Sequence, residues 1–193
     1  MINIVPFDKN KIDKELDNNI YKFLTNNIKE TIFNILGFSF FRKNILYSDL
    51  VGLFHDIHNN EPKLLIAYIS SENEKKLNKI IFLYLLKNLH KVLLKPSYFF
   101  SLLTNPRTLK YDSNTTQLLT LIIESSYYKG KIDLSSRDKI IDNFHYKYVN
   151  QKNSNKLFAV FAKGNHVAKK YYLRNKFNIF YSNKFYLFIE KKY

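Results

Sequence analysis

The chain has 193 residues, of which 46% are hydrophobic and 17% aromatic, a composition that predicts one folded domain with a sizeable core and excludes a disordered tail. It contains no cysteine, which excludes a thiol nucleophile, a cysteine-based zinc site and a disulfide framework. Its net charge of +15 raises the question of a nucleic-acid partner.

The basic residues support more than one class of partner. Lysine and arginine neutralise phosphates and aromatic side chains stack on bases, which suits a nucleic-acid-binding protein. Here the basic residues are spread along the chain, without a dense block, a helix-turn-helix or a ribonucleoprotein motif. Lys, Asn, Ile, Tyr and Phe are abundant together, as expected of codons rich in A and T. An anionic small ligand would use a few of these cations equally well, so nucleic-acid binding is kept as an alternative.

The sequence predicts neither a secretory signal nor a membrane span. Residues 1–11 have no cationic region followed by an apolar stretch. The longest apolar run, residues 80–94, is shorter than the ~20 residues that cross a bilayer and is interrupted by Lys87, His90 and Lys91. We expect a cytoplasmic chain that needs no metal.

The first half of the chain predicts helices and then a hairpin. Apolar residues recur at helical spacing over residues 12–36, which predicts one or two amphipathic helices ending at Gly37. Residues 52–58 and 62–70 read as two strands, joined by the turn-prone sequence Asn59-Asn60-Glu61-Pro62. His55 and His58 have no metal-ligand spacing, because a strand places them on opposite faces.

A helical insert is predicted around residues 72–104. The helical pattern runs from residue 71 to residue 95, where Pro96 stops it, and a short apolar segment follows at residues 98–103. A solvated basic edge over an apolar core is the usual structure for such a helix. The alternatives are an acceptor-binding insert, a homodimer contact and a helix on a membrane surface. The basic edge consists of Lys75, Lys79, Lys87, Lys91 and Lys95.

The second half of the chain alternates strands and helices, which indicates a mixed α/β sheet. A central strand is predicted at 117–124, a helix at 135–149 with Ile140, Ile141, Phe144 and Tyr148 on one face, and a buried strand at 157–162. A tight break then precedes another helix, which Asn165 is suited to cap. Two last strands are predicted at 177–181 and 185–190.

Four residues of this last helical segment form a spaced set, namely Asn165, Ala168, Tyr172 and Phe177. The set resembles the C-terminal half of the GNAT superfamily of N-acetyltransferases, where Asn-x-x-Ala-x-x-x-Tyr-x-x-x-Gly-Phe runs along the helix beside the thioester of acetyl-CoA. Lys176 replaces the glycine of that pattern. Taken without the family, Asn165 is a helix cap and Tyr172 a core residue. The resemblance implies one mixed, mostly antiparallel GNAT-like domain over residues 1–193.

The loop after the central strand resembles the family less closely. In GNAT proteins the pattern Arg/Gln-x-x-Gly-x-Gly/Ala holds the pyrophosphate on backbone N–H groups at a helix start. Tyr128-Lys129-Gly130-Lys131 is similar to a common Tyr-Arg-Gly-Lys start, but Ile132 and Leu134 stand in place of the glycines. If the pattern is instead aligned from Tyr127, its two glycine positions fall on Gly130 and Ile132, so only one of the two glycines is present. A branched residue obstructs close approach of the backbone to a phosphate, so Lys129 and Lys131 either supply the missing attraction or belong to a solvated turn.

The resemblance implies direct transfer of an acetyl group from acetyl-CoA to an amine of a small molecule, such as an amino sugar or a nucleotide sugar. Tyr172 would be the general acid or thiolate stabiliser, and Glu124 a candidate base acting through water. Backbone N–H groups of Ile122, Ile123 and Glu124 would bind the pantetheine arm and polarise the thioester. Asn165 would bond the cofactor amide, and the small Ala168 would let a ligand approach the helix. The other cofactor contacts implied are Lys129, Gly130, Lys131 and Ile132.

A second hypothesis follows from the missing glycines. A protein with a GNAT fold that has lost tight cofactor binding would serve as an interaction module without catalysis, and fold alone does not separate this from an enzyme. The basic nucleic-acid-binding protein is the third hypothesis.

Overall fold

The described part of the computed structural model, residues 2–27, 37, 39–89 and 114–193, is built around one seven-stranded sheet. The strands lie in the order β1-β2-β3-β4-β5-β7-β6, and every neighbouring pair is antiparallel except β4 with β5. This confirms the predicted mixed, mostly antiparallel α/β fold. The strands are β1 (Ile4–Pro6), β2 (Val51–His58), β3 (Glu61–Ser70), β4 (Thr115–Ile123), β5 (Lys156–Ala162), β6 (Asn178–Ser182) and β7 (Tyr186–Lys192).

Helices flank this sheet, and four of them begin at a side-chain cap. The capping oxygens of Asp13, Ser70, Asp133 and Asn165 accept hydrogen bonds from backbone N–H groups three residues later, at 2.7, 3.4, 2.9 and 2.9 Å. Each bond satisfies a donor that the first helical turn leaves unpaired. The α-helices are α1 (Lys14–Asn27), α2 (Ser71–Lys87), α3 (Ser125–Tyr128), α4 (Leu134–Gln151) and α5 (His166–Arg174), and a 3₁₀-helix at Lys9–Lys11 and a π-helix at Arg42–Leu46 accompany them.

The observed elements follow the predicted order, but the sequence pattern did not reveal strand β1, helix α3 or the short helices at Lys9–Lys11 and Arg42–Leu46. The edge strand β1 was not predicted, because three residues are too few to show alternation. The helix predicted over residues 12–36 is seen as α1, and residues 28–36 lie outside the described part. Most of the insert beyond α2, including Lys91, Lys95 and the apolar segment at 98–103, also lies outside it. The insert and the single domain therefore stay predictions.

The β2–β3 hairpin turns through two asparagines in left-handed backbone conformation. Asn59 and Asn60 have φ angles of 52° and 58°, and His58 pairs with Glu61 across the turn. Two consecutive residues with positive φ form the tight turn whose twist matches that of paired strands. Asparagine tolerates this conformation better than most residues, so the predicted hairpin is confirmed.

Alternate residues of the central strand β3 serve two cores on opposite faces of the sheet. Leu64, Ile66 and Tyr68 face the core that α4 and α5 cover, whereas Leu65 and Ala67 face the core that α1 covers. Both sets are almost fully buried. The unbroken apolar run of β3 is typical of a strand covered on both faces.

The β2 strand follows the same alternation and packs closely on α4. Gly52 lies against Tyr148, so closely that a Cβ at Gly52 would be 2.5 Å from Cε2 of that ring. His55 contacts the ring of Phe7 and His58 that of Tyr127, on opposite faces of the sheet as predicted.

No helix in the described residues combines the length and the apolar character that a membrane span requires.

The parallel pair β4–β5 comes apart halfway along, and this opens the sheet. The two strands pair only from Thr115 with Lys156 to Leu118 with Ala159. Beyond that point β4 continues beside β3 and β5 continues beside β7. Leu119 is an extra residue in β4, since Ala67 pairs with Thr120 and Tyr68 with Leu118. Such a bulge increases the local bend of the strand.

Candidate active site

A cavity of about 590 Å³ lies at the end of β4, between the loop that follows it and helix α5. Its wall is largely apolar near the strand and carries cationic side chains along helices α4 and α5. The residues that line it are Leu121, Ile123, Ser125, Ser126, Tyr128, Lys129, Ile132, Leu134, Arg137, Asn165, Val167, Ala168, Lys170, Tyr171, Tyr172 and Arg174.

The separation of the strands leaves backbone donors of β4 directed away from β3. The N–H of Glu124 donates to the carbonyl of Lys63 at 2.9 Å, which makes these two residues a hydrogen-bonded pair. Hydrogen-bonded and non-bonded pairs alternate along antiparallel strands, so the N–H of Ile122 also points to β3. The N–H groups of Leu121 and Ile123 point to the other side, where β5 has diverged.

This geometry corrects the predicted backbone donors. Of the three residues proposed to bind the pantetheine arm, only Ile123 has an N–H directed into the opening, because those of Ile122 and Glu124 are used within the sheet. The side chain of Ile122 belongs to the core on the opposite face. Leu121 is a backbone donor that the sequence interpretation missed, since the strand register was not known.

Tyr172 lies in the wall of the cavity with its ring fixed by other aromatic rings. It stacks on Phe161 at 5.3 Å between ring centres and meets Tyr171 and Phe177 edge-on at 5.2 and 5.1 Å. Tyr172 is only 7% exposed, and burial raises the pKa of its hydroxyl well above the ordinary value for a phenol. The group is therefore protonated at neutral pH and able to donate a hydrogen bond.

Asn165 and Ala168 both line the cavity at the start of α5. The side-chain oxygen of Asn165 accepts the N–H of Ala168, so the helix cap expected from the sequence is present. The amide nitrogen of Asn165 is left to serve as a donor at the cavity wall. The two interpretations of this residue, a cap and a ligand contact, are compatible.

Of the four residues predicted to contact the cofactor in the loop between α3 and α4, residues 129–132, only two line the cavity. Lys129 and Ile132 line the cavity, whereas Gly130 and Lys131 do not. Gly130 has a φ of +78°, a conformation that favours glycine. The ammonium of Lys131 lies 3.6 Å from the centre of the Tyr127 ring, a cation–π contact that holds it away from the cavity.

Glu124 does not line the cavity, and its carboxylate pairs with a lysine of β3. The Lys63 ammonium lies 3.2 Å from Glu124 and 2.8 Å from Glu61. The hydrogen bond to Glu61, followed by that to Glu124, raises the pKa of Lys63. Glu124 is thus not part of the wall that contains the proposed acid, Tyr172, and its role as a base through water stays a prediction.

The first residues of the loop are fixed to the sheet by a buried hydrogen bond. The hydroxyl of Tyr128, at the end of α3, donates to the carboxylate of Asp56 on β2 at 2.6 Å. Both residues are almost fully buried, and burial raises the pKa of Tyr128. This bond connects residues 72 positions apart, which no local sequence pattern reveals.

Two arginines of the cavity wall were not predicted. Arg137 on α4 and Arg174 on α5 both bind the carboxylate of Asp138, which is 3% exposed. Lys170, one helical turn before Arg174, is also part of the wall and was missed. The basic character of these residues was visible in the sequence, but their convergence depends on the packing of α4 against α5.

Comparison with known proteins gives structural matches alone, because no protein-family model and no curated protein sequence matches the chain. The Campylobacter jejuni N-acetyltransferase PseH, solved with acetyl coenzyme A, is 14% identical with a TM-score of 0.55, over 100% of this chain and 99% of that one. A GNAT-family acetyltransferase from Staphylococcus aureus is 16% identical with a TM-score of 0.53, over 100% and 99%. The PaiA N-acetyltransferase of Thermoplasma acidophilum, solved with coenzyme A, is 12% identical with a TM-score of 0.52, over 99% of each chain.

Proposed function

The chain has the fold of the GNAT acetyltransferases, and from this premise we propose that it transfers an acetyl group from acetyl-CoA to an amine of a small molecule. The neighbours solved with acetyl coenzyme A and coenzyme A support the choice of co-substrate. Amino sugars and nucleotide sugars are the first acceptors to test.

The observation that carries the proposal is the opening between β4 and β5 beside Tyr172. There the N–H groups of Leu121 and Ile123 have no partner strand among the described residues, and the wall beside them is largely apolar. Preorganised donors in such surroundings stabilise charge that develops on a carbonyl oxygen. A thioester carbonyl held at this edge would be polarised towards attack by an amine.

The remaining wall residues have roles that fit a direct transfer without a covalent enzyme intermediate. Acetyl-CoA supplies the activated acetyl group. Tyr172, which is protonated at neutral pH, would donate its proton or a hydrogen bond to the departing thiolate. Asn165 would donate its amide N–H to the pantetheine arm, and Ala168 would leave room for that arm beside α5.

The proton released by the amine needs an acceptor. Glu124 is our candidate, acting through a water molecule, because it follows the last residue of β4 and its side chain is about one-third exposed. Its carboxylate lies 3.2 Å from the Lys63 ammonium, which fixes its position at the end of the strand. Glu124→Gln should slow turnover without weakening acetyl-CoA binding.

The proposal is tested by cofactor binding and by turnover with a panel of amines. Acetyl-CoA should raise the melting temperature of the chain, because a ligand that binds only the folded state stabilises it by mass action. Release of free thiol on addition of an amine then reports transfer. Desulfo-CoA, which cannot donate an acetyl group, is the control ligand: it should stabilise the fold and release no thiol.

The outcomes separate the three hypotheses. No thermal shift with millimolar acetyl-CoA would refute the enzyme and favour an interaction module. A shift without transfer to any amine would leave a cofactor-binding protein of another activity. Duplex DNA should bind weakly, without sequence preference, and be released as salt approaches physiological concentration, whereas tight binding at that salt would favour the nucleic-acid hypothesis.

A further inference from the structure

Asp138 holds two guanidinium groups at the cavity wall. Its Oδ1 accepts bonds from Nε and Nη2 of Arg137 at 3.3 and 3.0 Å. Its Oδ2 accepts a bond from Nε of Arg174 at 2.7 Å and forms an ion pair with Nη2 of Arg174 at 2.5 Å. Asn175 adds a further bond to Oδ2 at 3.1 Å. One buried carboxylate therefore orients a cation from α4 and a cation from α5.

The cluster of Arg137, Arg174 and Asp138 has a net positive charge and N–H donors that do not bind Asp138. Two guanidinium groups face one carboxylate, so the cluster has a net charge of +1, and Lys170 adds another cation to the same wall. These contacts with Asp138 use the Nε and Nη2 atoms of each arginine, and Nη1 carries two more N–H donors. A planar guanidinium with its orientation fixed is well suited to bind a phosphate group.

The loop from residue 129 to residue 132 is poorly suited to the same task. The Asp133 carboxylate accepts the N–H of Ser136, so a negative charge already occupies the start of α4. Hydrogen bonds from Ser136 lower the pKa of Asp133 and keep it ionised, which opposes a phosphate at that position. Ile132 fills the wall where a glycine would admit a phosphate, and Lys131 contacts Tyr127 instead.

We propose that the phosphates of coenzyme A bind to the side chains of Arg137 and Arg174, with Lys170, and not to the backbone of the loop at residues 129–132. This inference rests on the proposed function for the identity of the ligand. It accounts for a GNAT fold without its phosphate-loop glycines, because the anion site is formed by oriented side chains on α4 and α5.

Binding of three compounds to the wild-type chain and to variants tests the proposal by titration calorimetry. Acetyl-CoA has both the thioester and the phosphates, S-acetyl-pantetheine has only the thioester, and adenosine 3′,5′-bisphosphate has only phosphates of the nucleotide end. Arg174→Gln is the main variant, and Arg174→Lys keeps the charge but removes the planar group. Lys169→Gln is the matched control, since Lys169 is an exposed cation of α5 that does not line the cavity.

Arg174→Gln should weaken acetyl-CoA binding by about tenfold or more, the range for losing hydrogen bonds to a charged group, and leave S-acetyl-pantetheine binding unchanged. Arg174→Lys should bind acetyl-CoA with an affinity between those of the wild type and Arg174→Gln. Lys169→Gln should change affinity by less than about twofold, because exposed charges are screened. The double variant Lys129→Ala/Lys131→Ala should weaken acetyl-CoA binding less than Arg174→Gln does.

Two results would overturn the proposal while the transferase stands. One is an Arg174→Gln variant that binds acetyl-CoA like the wild type while the double loop variant does not. The other is an equal loss of acetyl-CoA and S-acetyl-pantetheine binding in Arg174→Gln, which would indicate a purely structural role. A wild-type chain that binds adenosine 3′,5′-bisphosphate but neither thioester would retain the anion site and refute the transferase. Binding of none of the three compounds would refute both.

Discussion

Tyr171 and Tyr172 are neighbours in sequence whose hydroxyl groups we expect to matter very differently. Both are almost fully buried in the same core and contribute to the cavity wall. The hydroxyl of Tyr171 is buried without a hydrogen-bond partner among the described residues. The hydroxyl of Tyr172 is the proposed donor to the thiolate, so the pair offers an internal comparison.

Tyr172→Phe removes one oxygen and keeps the ring that stacks on Phe161. We expect turnover to fall by about 10²-fold or more, the range for losing a general acid, with little change in the KM of the acceptor. Tyr171→Phe should keep wild-type turnover and lose no stability, since its hydroxyl has no bond to lose. Steady-state kinetics and thermal unfolding of both variants give the comparison.

Wild-type turnover in Tyr172→Phe would assign Tyr172 to the core alone. In that case Tyr172→Ala should still destabilise the fold by roughly 3 to 5 kcal/mol, the range for losing a buried aromatic side chain. The fold assignment would be unaffected.

Single residues could be predicted where one local segment carries the whole pattern. Asn165, Ala168 and Tyr172 lie within two turns of α5, so their spacing alone was enough to bring them to one wall. The arginine pair could not be predicted, because Arg137 and Arg174 meet through Asp138 only after two helices pack. The backbone donors were predicted in part, since the alternation of β4 selects Ile123 and excludes Ile122 and Glu124.

At the scale of elements, the contact of β2 with α4 depends on a missing side chain. Gly52→Ala would place a Cβ 2.5 and 2.7 Å from Cε2 and Cζ of Tyr148, far inside normal contact distances. We expect the free energy of unfolding to fall by about 1 to 3 kcal/mol, the usual effect of overpacking. Gly164→Ala is the control, because a Cβ added at Gly164 would have no atom of the described residues within 4 Å apart from its chain neighbours, and it should change stability by less than ~0.5 kcal/mol. Equal effects in urea unfolding would contradict the packing argument.

The β2–β3 turn gives a second test at this scale. Asn60→Val places a β-branched residue at a φ of 58°, and the left-handed conformation should lower stability by roughly 1 to 2 kcal/mol. Asn60→Gly keeps the turn without that strain and should be as stable as the wild type or more so. Chemical denaturation measures the free energy of unfolding of both variants. An Asn60→Val variant as stable as the wild type would contradict the predicted backbone strain.

Elements were predicted well where periodicity or turn chemistry is local. The hairpin, the central strand and helices α4 and α5 each have a clear pattern of their own, and their predicted bounds differ from the observed ones by few residues. The parting of β4 from β5 could not be predicted, because it depends on pairing between strands 41 residues apart in the register Thr115 with Lys156.

At the scale of the whole molecule, two buried histidines make stability depend on pH. Burial lowers the pKa of His55 to about 4 and that of His145 to about 3, from an ordinary value of 6.5. The unfolded chain therefore binds protons below pH 6.5 that the folded chain does not, so this stability is fully present above pH 6.5 and is lost as pH falls towards 4 and 3. We expect a loss on the order of 2 to 5 kcal/mol between pH 7 and pH 4.5.

His55→Leu should reduce this pH dependence. The Nδ1 atom of His55 is buried without a hydrogen-bond partner among the described residues, so an apolar replacement loses no hydrogen bond at that atom. Urea unfolding at pH 7 and pH 4.5 gives the difference for each protein, and His166→Gln, at an exposed position outside both cores, is the control for losing a histidine. Parallel pH curves for the wild type and His55→Leu would show that burial of this ring is not the cause.

The separation of β4 from β5 should affect hydrogen–deuterium exchange of the backbone amides. Amides in the middle of a covered sheet usually exchange with deuterated water only when the structure opens. The amides of Leu121 and Ile123 lie in a central strand yet point past the last pair with β5, so they should exchange far faster than that of Ile122, which is bonded to β3. A thioester bound along this edge would slow those two amides selectively, giving a signature of occupancy that requires neither turnover nor a known acceptor.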